Sequence, residues 1–158
     1  MGKIYDELKQ TRRFADPRQE AVIALLRTAD VLRARIEAHL HPHGVSPEQY
    51  NVLRILRGAP EHRLPTLEIA SRMITRAPNI TRLIDKLVAK KLASRCDHDR
   101  DRRVVVVQLA PRGLDLVNAV SASVDDLDAK GLAALSKAQV ETLIEILDSV
   151  RSGAGGGR

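Results

Sequence analysis

One stretch of the sequence, CDHDRDRRVVVV at 96–107, brings together side chains of several chemical types. It contains a thiol, an imidazole, three carboxylates and three guanidiniums, followed by four valines. A thiol and an imidazole can bind a metal or act as nucleophile and base. A charged run beside a β-branched run is instead typical of a turn that leads into a strand. We therefore predict a two-stranded hairpin whose tip carries these charges.

Two further sets of residues were considered as sensing sites. Cys96 lies in the predicted hairpin, where an inert strand residue is the favoured interpretation and a redox sensor is the alternative left open. His39, His41 and His43 have the residue type of metal ligands, but Pro42 breaks the helix among them. Histidines at a helix C-terminus are also favoured by the helix dipole alone. We predict no metal site and no cofactor.

The sequence does not have the residue pattern of an enzyme. Asp125, Asp126 and Asp128 are close in sequence but fall on different faces of a helix. There is no phosphate-binding glycine loop, and no Ser-His-Asp or Cys-His set can be placed. We therefore expect a binding protein and not a catalyst.

Composition and charge point to one domain that binds a polyanion. The chain has 158 residues, of which 44% are apolar and 2% aromatic, so its core is expected to be aliphatic. Residues 54–112 hold 14 Lys and Arg against 6 Asp and Glu, whereas the remainder holds 12 against 14. A local basic block of this kind is typical of a nucleic-acid-binding face.

The cellular compartment was inferred from what the sequence lacks. A single cysteine forms no internal disulfide and suits a reducing compartment. The first residues have no apolar run typical of a secretory signal, and no apolar stretch approaches the length of about 20 residues that spans a bilayer. We expect a cytoplasmic protein without a membrane partner.

Apolar spacing, caps and breakers predict six helices and the hairpin. Ser46 and Ser136 each begin an S-x-x-Q capping box. The predicted helices cover 18–40, 47–57, 65–73, 76–91, 114–130 and 137–150; the hairpin pairs 92–96 with 103–109; and 152–158 is expected to be a flexible tail. The fold class is mainly α with a small β-hairpin wing (α+β), within one domain, 1–158.

The segment 47–112 has the order of a winged helix-turn-helix, in which one helix enters the major groove of DNA. If Ile80, Leu83, Ile84 and Leu87 face inward, the helix at 76–91 presents a polar outer face. Asparagine and arginine on such a face can bond adenine and guanine edges bidentately. The outward residues predicted to contact DNA are Arg76, Asn79, Thr81, Arg82 and Lys86.

Three segments resemble the MarR (multiple antibiotic resistance regulator) family of bacterial transcription factors. They are HGVSPEQYNVLRIL (43–56), TLEIASRMITRAPNITRLIDKLVAKKLASR (66–95) and DRRVVVVQLAPRG (101–113). The last is similar to the family's wing motif at Asp101, Arg103, Val107, Leu109 and Gly113. The chain departs from the family at three positions, where Ile74 and Lys91 replace common glycines and Ala110 replaces a common threonine.

The resemblance implies a homodimer that binds double-stranded DNA through a winged helix-turn-helix. Helices 18–40 and 114–150 would form the dimer, and Arg100, Arg102 and Arg103 would reach the minor groove or phosphates from the wing. Members are commonly repressors that a small, often aromatic or phenolic, anionic effector releases from a pseudo-palindromic operator. Tyr50 and Arg54 are the candidate effector-binding residues. The alternative to operator binding is a winged-helix module that binds protein or RNA.

Overall fold

A computed structural model describes residues 3–97 and 103–154 of the chain. These residues form a mainly helical fold with one small antiparallel sheet, as predicted. The helices are α1 (Ile4–Glu7), α2 (Pro17–Leu40), α3 (Pro47–Arg57), α4 (Thr66–Arg72), α5 (Ile80–Ala89), α6 (Pro111–Gly131) and α7 (Lys137–Ala154). The strands are β1 (Arg63–Pro65), β2 (Ala93–Asp97) and β3 (Val105–Leu109). The chain divides into two compact units, Met1–Val124 and Asp125–Arg158, with the boundary inside α6.

Both predicted capping boxes are confirmed. The Ser46 hydroxyl accepts the Gln49 backbone N–H, and the Gln49 side chain accepts the Ser46 N–H, each at 3.2 Å. Ser136 and Gln139 make the same exchange at 3.3 and 2.8 Å before α7. Each box satisfies two N–H groups that the first helical turn cannot pair internally, so these helix starts are encoded locally.

The sheet has three strands where the sequence predicted a hairpin of two. Its order is β1-β3-β2, with β3 antiparallel to both neighbours. Arg63 pairs with Gln108 on one side of β3, and Ala93 pairs with Leu109 on the other. β1 was missed because three residues that include a proline carry no alternating pattern. The sequence pattern instead predicts a helix start at Pro65.

The core of the Met1–Val124 unit is aliphatic, as the composition predicted. It is built from α3, α5, the sheet and the first half of α6, whose apolar positions are buried at the helical spacing read from the sequence. Its fully buried side chains are Leu40, Val52, Leu53, Leu56, Ile69, Ile84, Leu87, Val107, Val117, Val120 and Val124. Leu67, expected among the apolar positions of its helix, is 81% exposed, because α4 is too short to bury more than one face.

The helix at 76–91 was predicted one turn too early. α5 begins at Ile80 and is preceded by the non-helical connection 73–79, in which Pro78 lies. The residue directly before a proline avoids the helical region, so a helix cannot run from Arg76 through Ala77 into Pro78. Arg76 therefore lies in the turn of the helix-turn-helix and not on the recognition helix.

The C-terminus of α5 has a left-handed residue that is not glycine. Lys91 has a φ of 59°, in the left-handed region that favours glycine. The N–H of Leu92 donates to Leu87 O at 3.0 Å, and that of Lys91 donates to Val88 O at 2.9 Å. This is a Schellman motif, which stops the helix and turns the chain into β2.

The terminal segments hold the remaining differences. The predicted flexible tail is wrong at 152–154, which belong to α7, and 155–158 lie outside the described residues. α1 was not predicted, although its Ile4 is buried. No helix within the described ranges has the length and apolar content to cross a membrane.

Candidate nucleic-acid interface

Two hydrogen bonds hold the helix-turn-helix against the rest of the fold. The Asn51 side chain, on α3, accepts the backbone N–H of Ile74 at 2.9 Å and so fixes the turn. The Thr66 hydroxyl, at the start of α4, donates to the carbonyl of Val105 on β3 at 3.0 Å. Both contacts use neutral groups to position backbone, and neither residue was singled out from the sequence.

The outer face of α5 carries the predicted recognition residues. Ile84 and Leu87 are buried beneath it, whereas Thr81, Arg82 and Lys86 are exposed. Arg82 and Lys86 are four residues apart and so lie on one face, about one helical turn apart. The structure thus brings an arginine, a lysine and a hydroxyl together on one solvent-facing surface.

Asn79 caps the N-terminus of α5, which limits its availability for contacts to DNA bases. It is the N-cap of α5, and its side-chain oxygen accepts the Arg82 backbone N–H at 3.2 Å. An asparagine that bonds adenine bidentately needs this same oxygen as its acceptor. In the structure, the amide of Asn79 is therefore used to start the helix that presents Arg82.

The wing is fastened to α5 by an ion pair. Arg95 on β2 bonds the carboxylate of Asp85 on the exposed side of α5. This pair neutralises the carboxylate on the outer part of α5 and ties the hairpin to the helix. Arg103 is described and exposed, whereas the predicted wing contacts Arg100 and Arg102 lie outside the described residues.

The cations of this region divide into paired and unpaired groups. Arg72 is bonded to Glu68 and Arg95 to Asp85. Among the described residues, no carboxylate lies within ion-pair distance of Arg76, Arg82 or Lys86. Three uncompensated positive charges on the turn and the outer face of α5 create the potential that attracts a polyanion.

A cavity of about 300 Å3 lies between α4, α5 and the base of the wing. Most of its wall is apolar, and its polar lining residues include Thr81, Arg95 and Arg103. It is lined by Pro65, Thr66, Leu67, Thr81, Ile84, Arg95, Arg103, Val104 and Val105. A pocket of this size with few, convergent polar groups is typical of a small-ligand site.

The predicted effector residues Tyr50 and Arg54 lie together on α3. Tyr50 is only 3% exposed and belongs to the core, while the Arg54 guanidinium carbon lies 5.9 Å from the centre of its ring. Arg54 therefore covers the edge of the core through a cation–π contact. Their role in effector binding stays a prediction.

The other candidate sensing residues have ordinary contacts. Cys96 is half-buried, and its thiol lies 3.7 Å from Val106 O. His39 Nε2 lies 2.8 Å from the Ser123 hydroxyl. No group of three His, Cys, Asp or Glu side chains within the described ranges is arranged to hold a metal ion.

Comparison with known proteins agrees with the geometry. The MarR family model matches residues 45–105. The chain is 29% identical over 132 residues to the HTH-type transcriptional regulator MhqR of Bacillus subtilis, covering 81% of this chain and 87% of that protein. It is 28% identical over 94 residues to the transcriptional repressor YetL of the same organism, covering 60% and 56%. These relatives are transcription regulators and not enzymes.

Solved structures show the same fold. AbsC, a MarR family transcriptional regulator from Streptomyces coelicolor, superposes with a TM-score of 0.82 at 20% identity, covering 92% of this chain and 99% of that one. Sco3205 from the same organism, solved in complex with DNA, gives 0.79 at 22% identity with 91% and 92% coverage. MepR from S. aureus, also solved with DNA, gives 0.75 at 22% identity, covering 89% and 99%. The family model, the relatives and the shared winged helix fold agree: this chain is similar to the regulators of the MarR family.

Proposed function

We propose that the protein is a transcriptional regulator that binds a specific duplex DNA sequence through α5 and the wing. The observation that carries the proposal is a set of exposed cations in the helix-turn-helix that have no ion pair among the described residues: Arg76 in the turn, and Arg82 and Lys86 on the outer face of α5. Relatives named as a regulator and a repressor, and neighbours solved with DNA, support the same role. Such a regulator works in the cytoplasm, where it has access to its DNA.

We further propose that the active form is a homodimer acting as a repressor on a pseudo-palindromic operator. α7 contains no buried residue within the chain, although apolar side chains recur along it. Val22, Leu25 and Leu26 on α2 are likewise 39–64% exposed. A second copy of the chain would bury these stripes, and apolar area removed from water is the main source of association energy. The exposed stripes therefore support the dimer.

The proposal includes an effector, for which the cavity between α4 and α5 is the best-supported site. Its apolar wall fits an aromatic ring, and Thr81 would donate to a carboxylate or phenolate. Arg95 would meet the same anion by exchanging its ion pair with Asp85 for it. A ligand in this cavity would contact both α5, which carries Arg82, and the strands of the wing. Thermal-shift screening with small aromatic acids, on wild type and Thr81→Val, tests this part of the proposal.

The central experiment is a gel-shift titration with the DNA that flanks the protein's own gene. We expect binding that scrambled duplex of the same length and composition does not compete efficiently. Arg82→Ala should reduce the ratio of specific to non-specific affinity by roughly 5- to 150-fold, since a bidentate arginine–guanine contact discriminates by roughly 1–3 kcal/mol. Equal affinity for flanking and scrambled DNA would refute sequence-specific binding.

A further inference from the structure

A second cavity, at the C-terminal end of α5, has a basic wall. Its volume is about 380 Å3, and polar atoms form more of its wall than apolar atoms do. Four basic side chains line it: His43, Lys90, Lys91 and Arg112. The cavity between α4, α5 and the base of the wing has, by contrast, a mostly apolar wall.

The backbone around this basic cavity is held by several contacts. The N–H of Ala110 donates to Leu92 O at 3.1 Å, which joins the end of the Schellman motif to the start of α6. The Lys90 ammonium donates to Gly44 O at 2.5 Å and to the Gln49 side-chain oxygen at 2.9 Å. The cavity is therefore assembled from three separate segments that are bonded to one another.

The positive charges at the cavity are not neutralised. Within the described part of the chain, no carboxylate lies within ion-pair distance of Lys90, Lys91 or Arg112. By contrast, the Arg33 guanidinium lies 2.7 Å from the Glu48 carboxylate. The two partners of Lys90 are neutral oxygens, and an ammonium has three N–H donors, so one remains for a ligand.

Lys91 occupies its place at a conformational cost. Its φ of 59° lies in a region that costs a non-glycine residue roughly 1–2 kcal/mol. Glycine would avoid this cost, but it would leave the cavity without its third full positive charge.

We propose that the cavity lined by His43, Lys90, Lys91 and Arg112 is a binding site for a phosphate group. A phosphate dianion would relieve the mutual repulsion of three cations, and both lysine and arginine are common phosphate ligands. The group has two possible sources, a phosphorylated small molecule and the DNA backbone. The cavity lies about 12 Å along the helix from Arg82, at a rise of about 1.5 Å per residue.

The test uses the full-length protein, inorganic phosphate and a matched pair of glycine variants. Lys91→Gly removes a cavity ammonium at a positive-φ position, and Lys9→Gly makes the same change at φ 51°, outside the residues that line the cavity. Phosphate binding is measured by calorimetric titration, and sodium chloride keeps the ionic strength the same in every titration. We expect wild type and Lys9→Gly to bind phosphate equally. Lys91→Gly and Arg112→Ala should bind about tenfold more weakly or worse, because each loses a charge-assisted hydrogen bond.

A second arm measures DNA affinity as a function of salt for the same variants. If the DNA backbone supplies the phosphate, the loss of cavity charge will appear in the salt dependence of DNA binding, whatever the affinity for free phosphate. Lys91→Gly and Arg112→Ala will then each lower the salt slope by about 0.9, whereas Lys9→Gly will not. Thermal unfolding without ligand confirms that Lys91→Gly is folded. The proposal is overturned if the cavity variants match wild type in both arms, or if Lys9→Gly loses phosphate as they do.

Discussion

At the scale of single residues, neighbouring positions on the recognition segment do different work. The side-chain oxygen of Asn79 caps the first turn of α5. The Arg82 guanidinium is exposed and forms no ion pair among the described residues. The sequence predicts base contacts for both, because asparagine and arginine are the usual readers of adenine and guanine. The structure distinguishes a residue that positions the helix from one that is available to DNA.

Substitution separates these two roles. Asn79→Ala should lower the free energy of unfolding by about 1 kcal/mol, since it deletes the N-cap, and Asn79→Ser should restore most of it. Arg82→Ala should change stability by less than about 0.5 kcal/mol, because it is an exposed surface change. Denaturant unfolding of the three variants measures this. An Asn79→Ala protein as stable as wild type would contradict the capping role.

Gly113 lies tightly against the backbone of Leu92. A Cβ built on it would lie 2.1 Å from the carbonyl oxygen of Leu92, a backbone atom that the Ala110 N–H also holds. Gly113→Ala should therefore destabilise the fold by about 1–3 kcal/mol through overpacking. Gly153→Ala is the matched control, because nothing lies within 4 Å of that position. Chemical denaturation compares the two; an equally mild effect at both would refute the steric argument.

At the scale of elements, the fold depends on bonds that join one helix or strand to the next. Arg33 on α2 bonds Glu48 in the first turn of α3 at 2.7 Å. Partial burial by itself would raise the pKa of Glu48. Hydrogen bonds from Arg33, from its own backbone N–H and from Ser46 outweigh this, so the pKa of that carboxyl lies below its usual range.

The Arg33–Glu48 contact predicts a pH dependence of stability. Because the folded pKa of Glu48 is lowered, its contribution is present above its unfolded pKa of about 4.3 and is lost as pH falls through the folded value. Wild type should exceed Glu48→Gln in stability at pH 7, by less than about 1 kcal/mol because both side chains are partly solvated. The gap should close in acid. Arg33→Met should behave like Glu48→Gln. The melting temperatures of these proteins are measured from pH 7 to pH 3. A difference between wild type and Glu48→Gln that stays constant over this range would exclude the linkage.

At the scale of the whole molecule, the exposed apolar stripes of α2 and α7 require a partner under the homodimer proposal. Leu26→Glu and Ile144→Glu replace side chains that are 64% and 53% exposed, so the folded chain should tolerate them while the dimer dissociates. Leu67→Glu, at an 81% exposed leucine of α4, is the control for the same chemical change. Sedimentation velocity should show monomers for the first two variants and a dimer for the third. A monomeric wild type would refute the homodimer.

The sequence by itself determined most of the local structure. Capping boxes, helical apolar spacing and a β-branched run are local signals, since each depends on residues a few positions apart. They placed the long helices and the two strands of the wing, and the sequence motifs indicated a similarity to the MarR family. The inward positions Ile84 and Leu87 and the exposed cations of α5 also followed from periodicity.

Only the tertiary structure decided which side chains are already engaged. Three features join residues 10 to 45 positions apart: the pairing of β1 with β3, the use of Asn51 to hold the turn, and the pairing of Arg95 with Asp85. The basic cavity likewise combines segments from 43 to 116. Sequence spacing carries no information about such contacts, because they depend on where the chain returns in space after each turn.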